Sequence, residues 1–354
     1  MPTTSARRRF SLLQVLTHGG LALALACTAM ASRAAGPTTQ FLLNGQVTNP
    51  GTYTLSSLQA LPAVTQTVNF LSGTTPQTHT YTGASLWNVL GSAGIITTPG
   101  VKNDQLNRYV LVTGSDGYKT VYSLGELDPG FGNVQALVAY AETTNGVTSP
   151  LTTDGFARTT APLDTKGGRY VSNIAQMTVQ ASASTSTGTG GGRSTSFSVT
   201  GDVKQSTTFD LAALQALPSV TRTIGNDTYT GVSLWSLLNS SFVGLATDPA
   251  VRNDVLGMYV VATGSDGYKA MFSLGELAAD FGNQPDFIAY SMNGADLTTN
   301  GFARIVAPND VKAGRWVSNL VSLEVYHATT VPEPATLALM LAGLGLLGLR
   351  RARR

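Results

Sequence analysis

Two segments of this sequence share a pattern of an apolar run, a short polar turn and an alternating apolar run. The turn is a seven-residue segment, TGSDGYK, at positions 113–119, and the same seven letters return at 263–269, 150 positions later. An Asp-Gly pair between two such runs predicts a β-hairpin, because glycine readily adopts the positive φ that the turn requires. The pattern therefore predicts two hairpins of the same design.

The similarity between the two halves extends well beyond these turns. Segments that recur in the same order include LQALP at 58–62 and 214–218, SLGEL at 123–127 and 273–277, and GFAR at 155–158 and 301–304. Self-similarity of this kind predicts a duplicated domain, with repeat 1 at 40–181 and repeat 2 at 197–328. Between them, residues 182–196 are almost wholly Ser, Thr and Gly, which predicts a flexible linker.

Within each repeat the hydrophobic pattern indicates an α+β fold. Residues 41–47 and 64–70 alternate or run apolar as strands do, and 137–140 and 174–179 are similar. Apolar residues at helical spacing follow Ser85, a residue type that begins helices. We therefore expect sheets with short helices.

The N-terminal 35 residues are predicted to be a signal peptide. A run of three arginines begins at Arg7, an apolar stretch covers 21–31, and an Ala-x-Ala site lies at 29–31. The arginines fit an ordinary export signal and also a twin-arginine signal.

The C-terminal segment, 331–354, has a different composition from the body. Fifteen uncharged residues at 335–349 would form a helix of about 22 Å, and four arginines follow. This length is short of a ~30 Å bilayer core, but the segment spans if counted from Val331 with the arginines reaching the interface. Because basic residues stay on the cytoplasmic side, the segment predicts a transmembrane helix with the body outside.

Charge and cysteine usage exclude several function classes. Eight of the 22 basic residues lie at the chain ends, and positions 36–331 hold 14 Lys or Arg against 19 Asp or Glu, a net charge of −5. A mildly acidic body argues against a nucleic-acid partner. The single cysteine, Cys27, lies in the leader, and only His79 and His327 lie in the body. We therefore expect no metal site and no cysteine nucleophile.

The tail resembles the PEP-CTERM sorting signal, in which a Pro-Glu-Pro motif, an apolar helix and a basic cluster follow in order. The motif residues are Pro332, Glu333 and Pro334. The resemblance implies export across the inner membrane, transient anchoring there, and processing by an exosortase. It also implies a final location at the cell surface or outside the cell, with exopolysaccharide or matrix components as partners.

Each repeat resembles the molybdopterin-binding domain of sulfite-oxidase-type oxidoreductases. The segments that carry the resemblance are 58–62, 231–235, 266–268, 289–294, 301–308 and 314–317. The resemblance implies two tandem sulfite-oxidase-like domains of mixed sheet with short helices.

The sequence departs from this family at its cofactor-binding positions. The region of the family's molybdenum-ligating cysteine has no cysteine in either repeat, and its histidine is replaced by Asp154 and Asn300. Its pterin-side lysine is replaced by Ser172 and Ser318. We therefore expect no cofactor and no catalytic residue, with molybdopterin as the alternative.

One arginine pair per repeat remains: Arg158 with Arg169, and Arg304 with Arg315. Arginine can hold a phosphate with two parallel hydrogen bonds, so these four are the candidate remnant anion site. Structural salt bridges to Asp164 or Asp310 explain them equally well.

The predicted function is an exported surface or matrix protein, sorted by an exosortase, whose two degenerate domains act as a binding or structural module. The alternative is a molybdopterin-dependent oxidoreductase of the sulfite oxidase type.

Overall fold

The computed structural model describes residues 37–329, so the predicted signal peptide and the sorting motif with its apolar helix lie outside the described residues. Within this range the hairpin prediction is confirmed. Thr113 lies opposite Lys119 in an antiparallel pair, and Gly117 has a φ of +85°. The Asp116 carboxylate accepts a hydrogen bond from the Tyr118 backbone N–H at 3.0 Å, which is a turn role. The second copy pairs in the same register.

Both repeats are built mainly from strands. The strands of repeat 1 are β1 (Gln40–Gly45), β2 (Gly51–Thr54), β3 (Ala63–Ser72), β4 (Thr75–Ser85), β5 (Arg108–Gly114), β6 (Lys119–Ser123), β7 (Leu137–Thr144), β8 (Val147–Pro150), β9 (Arg158–Thr159) and β10 (Ile174–Ala181). The strands of repeat 2 are β11 (Ser196–Gly201), β12 (Thr207–Asp210), β13 (Val220–Ile224), β14 (Asp227–Ser233), β15 (Met258–Gly264), β16 (Lys269–Ser273), β17 (Phe287–Met292), β18 (Ala295–Asp296), β19 (Arg304–Val306) and β20 (Leu320–His327).

The helices are short, and each follows a polar N-cap residue. They are α1 (Leu55–Gln59), α2 (Leu86–Ala93), α3 (Leu124–Leu127), α4 (Leu211–Gln215), α5 (Leu234–Leu238) and α6 (Leu274–Leu277), with single 3₁₀ turns at Asp104–Asn107, Gly167–Arg169, Asp254–Gly257, Thr298–Asn300 and Ala313–Arg315. At α3 and α6 a serine and a glutamate form a reciprocal capping box, so the N–H groups at the helix start have partners.

Each repeat contains two five-stranded sheets with matching topology. In repeat 1 the orders are β2-β1-β10-β5-β6 and β3-β4-β7-β8, with β9 also on β7. In repeat 2 they are β12-β11-β20-β15-β16 and β13-β14-β17-β18, with β19 on β17. The β1–β10 and β11–β20 pairs are parallel, and the other neighbours are antiparallel. This strand-rich mixed architecture confirms the α+β class, whereas the assignment to tandem domains stays a prediction.

The centre of strand β5, residues 109–112, is a continuous apolar run because both of its faces are buried. Val110 and Val112 face the core of repeat 1. Their neighbours Tyr109 and Leu111 face the other way, into a cluster formed with strands of repeat 2. The members of this cluster, called here the junction core, are Tyr109, Leu111, Val121, Tyr259, Val261 and Met271. The described residues accordingly belong to one compact unit that begins at Pro37.

The segment 182–196, predicted to be a flexible linker, makes backbone hydrogen bonds to repeat 2. The backbone N–H groups of Thr189 and Gly191 both donate to the Ser265 carbonyl at 2.8 Å. Gly188 has a φ of +76°, and a Cβ placed there would lie 2.5 Å from the Gly267 nitrogen. Small residues thus allow this segment to approach the turn of the second hairpin closely.

Candidate functional site

Arg169, one of the four candidate arginines, lies in a buried ion-pair triad. Its Nε and Nη2 donate to the Asp164 carboxylate at 2.9 and 2.6 Å, and its Nη1 donates to Glu126 Oε2 at 2.6 Å. The side chain is 1% exposed. Burial opposes its charge, but Asp164 and Glu126 outweigh that effect and hold the pKa of Arg169 well above its ordinary value.

Arg315 forms the same triad in repeat 2. Its Nε and Nη2 donate to Asp310 at 2.9 and 2.6 Å, and its Nη1 donates to Glu276 Oε2 at 2.7 Å. Each guanidinium nitrogen of both arginines therefore already donates to a protein carboxylate. These two residues play the salt-bridge role that the sequence had left open, so their guanidinium nitrogens are not available to an external anion.

The two triads meet at the junction of the repeats. Ser273 Oγ donates to Glu126 Oε1 at 2.9 Å, and Ser123 Oγ lies 3.1 Å from Glu276 Oε1. Each serine hydroxyl also accepts a hydrogen bond from the backbone N–H of the glutamate in its own repeat, so each hydroxyl contacts both repeats. The spacing of serine and glutamate in the SLGEL segments is typical of a capping box. It does not reveal the contact between each serine and the glutamate of the other repeat.

The tyrosines of the TGSDGYK segments also join the repeats. The Tyr118 hydroxyl donates to the Gly168 carbonyl at 2.8 Å and accepts from the Asn253 amide of repeat 2 at 3.0 Å. Tyr268 makes the matching contacts with Gly314 and Asn103, at 2.6 and 2.9 Å. The repeated motif is therefore both a turn and a part of the junction.

Arg158 is neutralised within repeat 1. Its Nη1 donates to Asp154 Oδ2 at 2.6 Å, and its guanidinium lies 5.2 Å from the Tyr81 ring and 5.6 Å from the Tyr170 ring. Phe70 packs against Tyr170, with the two ring centroids 4.2 Å apart. Burial raises the pKa of Tyr81 to about 12, so its hydroxyl stays neutral.

Arg304 occupies the matching position in repeat 2 with different neighbours. Asn300 replaces the aspartate, and it accepts a hydrogen bond from Ser318 Oγ at 3.0 Å. The guanidinium lies 5.1 Å from the Trp316 ring, and among residues 37–329 no carboxylate forms a salt bridge with it. Its buried Nε has no hydrogen-bond partner in that range, and burial lowers the pKa of Arg304.

The shape of the hairpin beside Arg304 also differs from that in repeat 1. Strand β3 runs to Ser72, whereas β13 ends at Ile224 and the chain turns at Gly225. Strand β13 therefore has no counterpart of Phe70. Among the four arginines of the predicted anion site, Arg304 is the one without a salt bridge to a carboxylate in the described chain, and its buried Nε has no hydrogen-bond partner there.

The residues present do not fit a molybdopterin. Three of the four arginines that would hold its phosphate donate to carboxylates, and Phe70 packs against Tyr170 in repeat 1. Ser318, at the family's lysine position, is bonded to Asn300. Among residues 37–329 no cluster of histidine, cysteine, aspartate or glutamate has the arrangement of a metal site.

The C-terminal segment matches a known sorting signal. Residues 330–354 match the PEP-CTERM protein-sorting motif. This motif marks an exported protein that an exosortase processes, and it includes Pro332, Glu333 and Pro334. Within residues 37–329, no helix has the length and apolar character needed to cross a bilayer. The predicted transmembrane helix falls outside that range.

Comparison with solved structures gives a match to the sulfane dehydrogenase SoxCD from Paracoccus pantotrophus. The two chains are 14% identical with a TM-score of 0.32, and the match covers 82% of this chain and 78% of that one. No curated protein sequence matches this chain.

Proposed function

We propose that this protein is displayed at the cell surface or in the extracellular matrix after exosortase processing, and that its body is a non-catalytic binding module. The observation that carries the proposal is the complete sorting motif at 330–354. The acidic body suits an extracellular location with little affinity for nucleic acid. The tandem sulfite-oxidase-like repeats serve, in this proposal, as a scaffold that has lost the cofactor.

Sorting is tested by replacing Pro332, Glu333 and Pro334 together with alanine. We expect the variant to stay uncleaved in the inner membrane, because the exosortase no longer recognises its signal. Intact mass and cell fractionation measure this, and Arg304→Met, which leaves the tail unchanged, is the control. A triple variant with the mass and location of the unaltered protein would contradict the proposal.

The binding role is assigned to Arg304, the arginine of the predicted anion site without a carboxylate partner in the described chain. A partly buried guanidinium beside an aromatic ring binds carboxylate or sulfate groups well, because water competes weakly there. Acidic groups of matrix polysaccharides have this chemistry.

The test is titration with sulfate and with glucuronate, followed by Trp316 fluorescence in a background where Trp87 and Trp235 are phenylalanine. We expect saturable binding that Arg304→Met abolishes and Arg158→Met leaves intact, since Arg158 is already paired with Asp154. Equal binding in the two variants would remove Arg304 from the proposal.

A further inference from the structure

The junction of the two repeats contains more buried negative charge than buried positive charge. The two triads bring together two arginines and four carboxylates, which leaves a net charge of −2 when all are ionised. A fifth buried carboxyl, Asp286, lies among them at 2% exposure. Full ionisation would therefore place a net charge of −3 in a region without water access, which is energetically unfavourable.

Asp286 differs from the other four carboxyls in its contacts. It has no salt bridge to a described residue, and its Oδ2 is buried without a hydrogen-bond partner in the described chain. Charged groups face it from several elements: Arg315 and Asp310 from the loop after β19, Glu276 from α6, and Glu126 from α3 of the other repeat. A carboxyl that no cation contacts directly is the one that gains most from a proton.

Repeat 1 provides an internal reference for this position. The Leu234 backbone N–H donates to the Asp286 carbonyl at 3.0 Å, and in repeat 1 the Leu86 N–H donates to the Ala136 carbonyl at 2.8 Å. The two positions are therefore equivalent, and alanine supports the same backbone contact. The aspartate side chain adds a charge to the junction and takes no part in this backbone hydrogen bond.

We propose that the Asp286 cluster is a proton-binding site: it retains a proton near neutral pH, on Asp286 or Glu276, and loss of that proton weakens the junction between the repeats. This goes beyond the proposed function and does not depend on it. Glu276 couples the site to the junction, since its Oε1 contacts Ser123 of the other repeat. When the proton is lost, Asp286 and Glu276 are both ionised, which places a second negative charge beside the contact between Glu276 and Ser123.

The electrostatic balance agrees with this geometry. Burial raises the pKa of Asp286 to about 7 and that of Glu276 to about 8, while Arg315 opposes the rise in both. A carboxyl whose pKa is higher in the folded state binds protons more tightly there than in the unfolded chain. Stability is therefore highest below the unfolded pKa and falls as pH rises through the folded value.

The test is urea unfolding of the full body at pH values from 5 to 9. For the unaltered protein we expect the midpoint to fall from pH 5 to about pH 8 and to level off above it, because both carboxyls are then ionised in the folded and in the unfolded state. Asp286→Asn keeps the side-chain shape without the charge, and Asp286→Ala copies repeat 1. Both should reduce the pH slope to less than half and raise the midpoint at pH 9. Asp296→Asn, at an exposed position, is the control with an unchanged slope.

A second measurement detects the proton itself. The infrared C=O stretch of a neutral carboxylic acid is separate from the bands of carboxylates, so a buried acid is visible at pH 7. We expect this band in the unaltered protein and its loss in Asp286→Ala. A flat midpoint between pH 5 and 9, an unchanged slope in both Asp286 variants, or absence of the band at pH 7 would each overturn the proposal.

Discussion

The junction core predicts that the two repeats unfold as one unit. Leu111 is fully buried between the repeats, and Leu43 is fully buried in the core of repeat 1. Replacing either by alanine removes the same atoms from a site without solvent access. Each substitution should cost about 2–5 kcal/mol, which combines the lost transfer free energy with that of the cavity left behind.

Joint and separate unfolding differ in which repeat loses stability when a leucine is replaced. If the repeats unfold together, Leu43→Ala destabilises repeat 2 as much as repeat 1, because neither repeat persists without the other. If they unfold separately, Leu43→Ala affects repeat 1 alone. The second outcome is expected for domains joined only by a flexible linker.

The assay uses tryptophan fluorescence as a separate probe for each repeat. The chain has three tryptophans, so variants that retain only Trp87 or only Trp316 report on repeat 1 or repeat 2. We expect the two probes to give coincident urea transitions in the unaltered body, and both midpoints to fall together in Leu43→Ala and in Leu111→Ala. A Leu43→Ala protein whose Trp87 signal shifts while its Trp316 signal stays in place would refute the reasoning.

Two further predictions concern the junction and the end of β20. The substitution Gly168→Ala should lower the free energy of unfolding by about 1–3 kcal/mol, because the added Cβ would lie 2.4 Å from Phe281 Cε1 of repeat 2. The control is Gly91→Ala, which has open space around it and should not destabilise α2 in the same unfolding experiment. His327 bonds to Asp202 at 2.7 Å; burial opposes its charge, but its carboxylate partners outweigh this and raise the pKa of His327. The contribution of protonated His327 to the folding stability is present below pH 6.5 and is lost as pH rises through the folded pKa. The substitution His327→Gln should therefore lower the melting temperature more at pH 5.5 than at pH 9. An equal loss at both pH values would count against this assignment.

Local features of this protein were predictable because they depend on neighbours in the chain. The Asp-Gly pair determines the turn at Gly117 whatever the rest of the molecule does, since its φ of +85° suits glycine. The alternating pattern at 64–70 likewise falls within β3, and the α+β class follows from such segments. The sorting motif could be identified because a contiguous segment carries it.

The roles of the candidate site residues depended on positions far apart in the chain. Arg169 and Arg304 are both arginines in segments that recur, yet one contacts Glu126, 43 positions away, and the other has no carboxylate partner within the described chain. Arg304 lacks such a partner because Asn300 stands where repeat 1 has Asp154, whereas the contact between Arg169 and Glu126 depends on how the folded chain brings the two together.

The joining of the repeats was decided by tertiary structure alone. The run 109–112 reads as a strand, but its pattern does not say that Tyr109 and Leu111 would face a second repeat 150 positions away. Nor did the Ser, Thr and Gly composition of 182–196 show that its backbone would pair with the Ser265 carbonyl. Sequence patterns report which positions avoid water, whereas the partner that covers each position is set by how the whole chain packs.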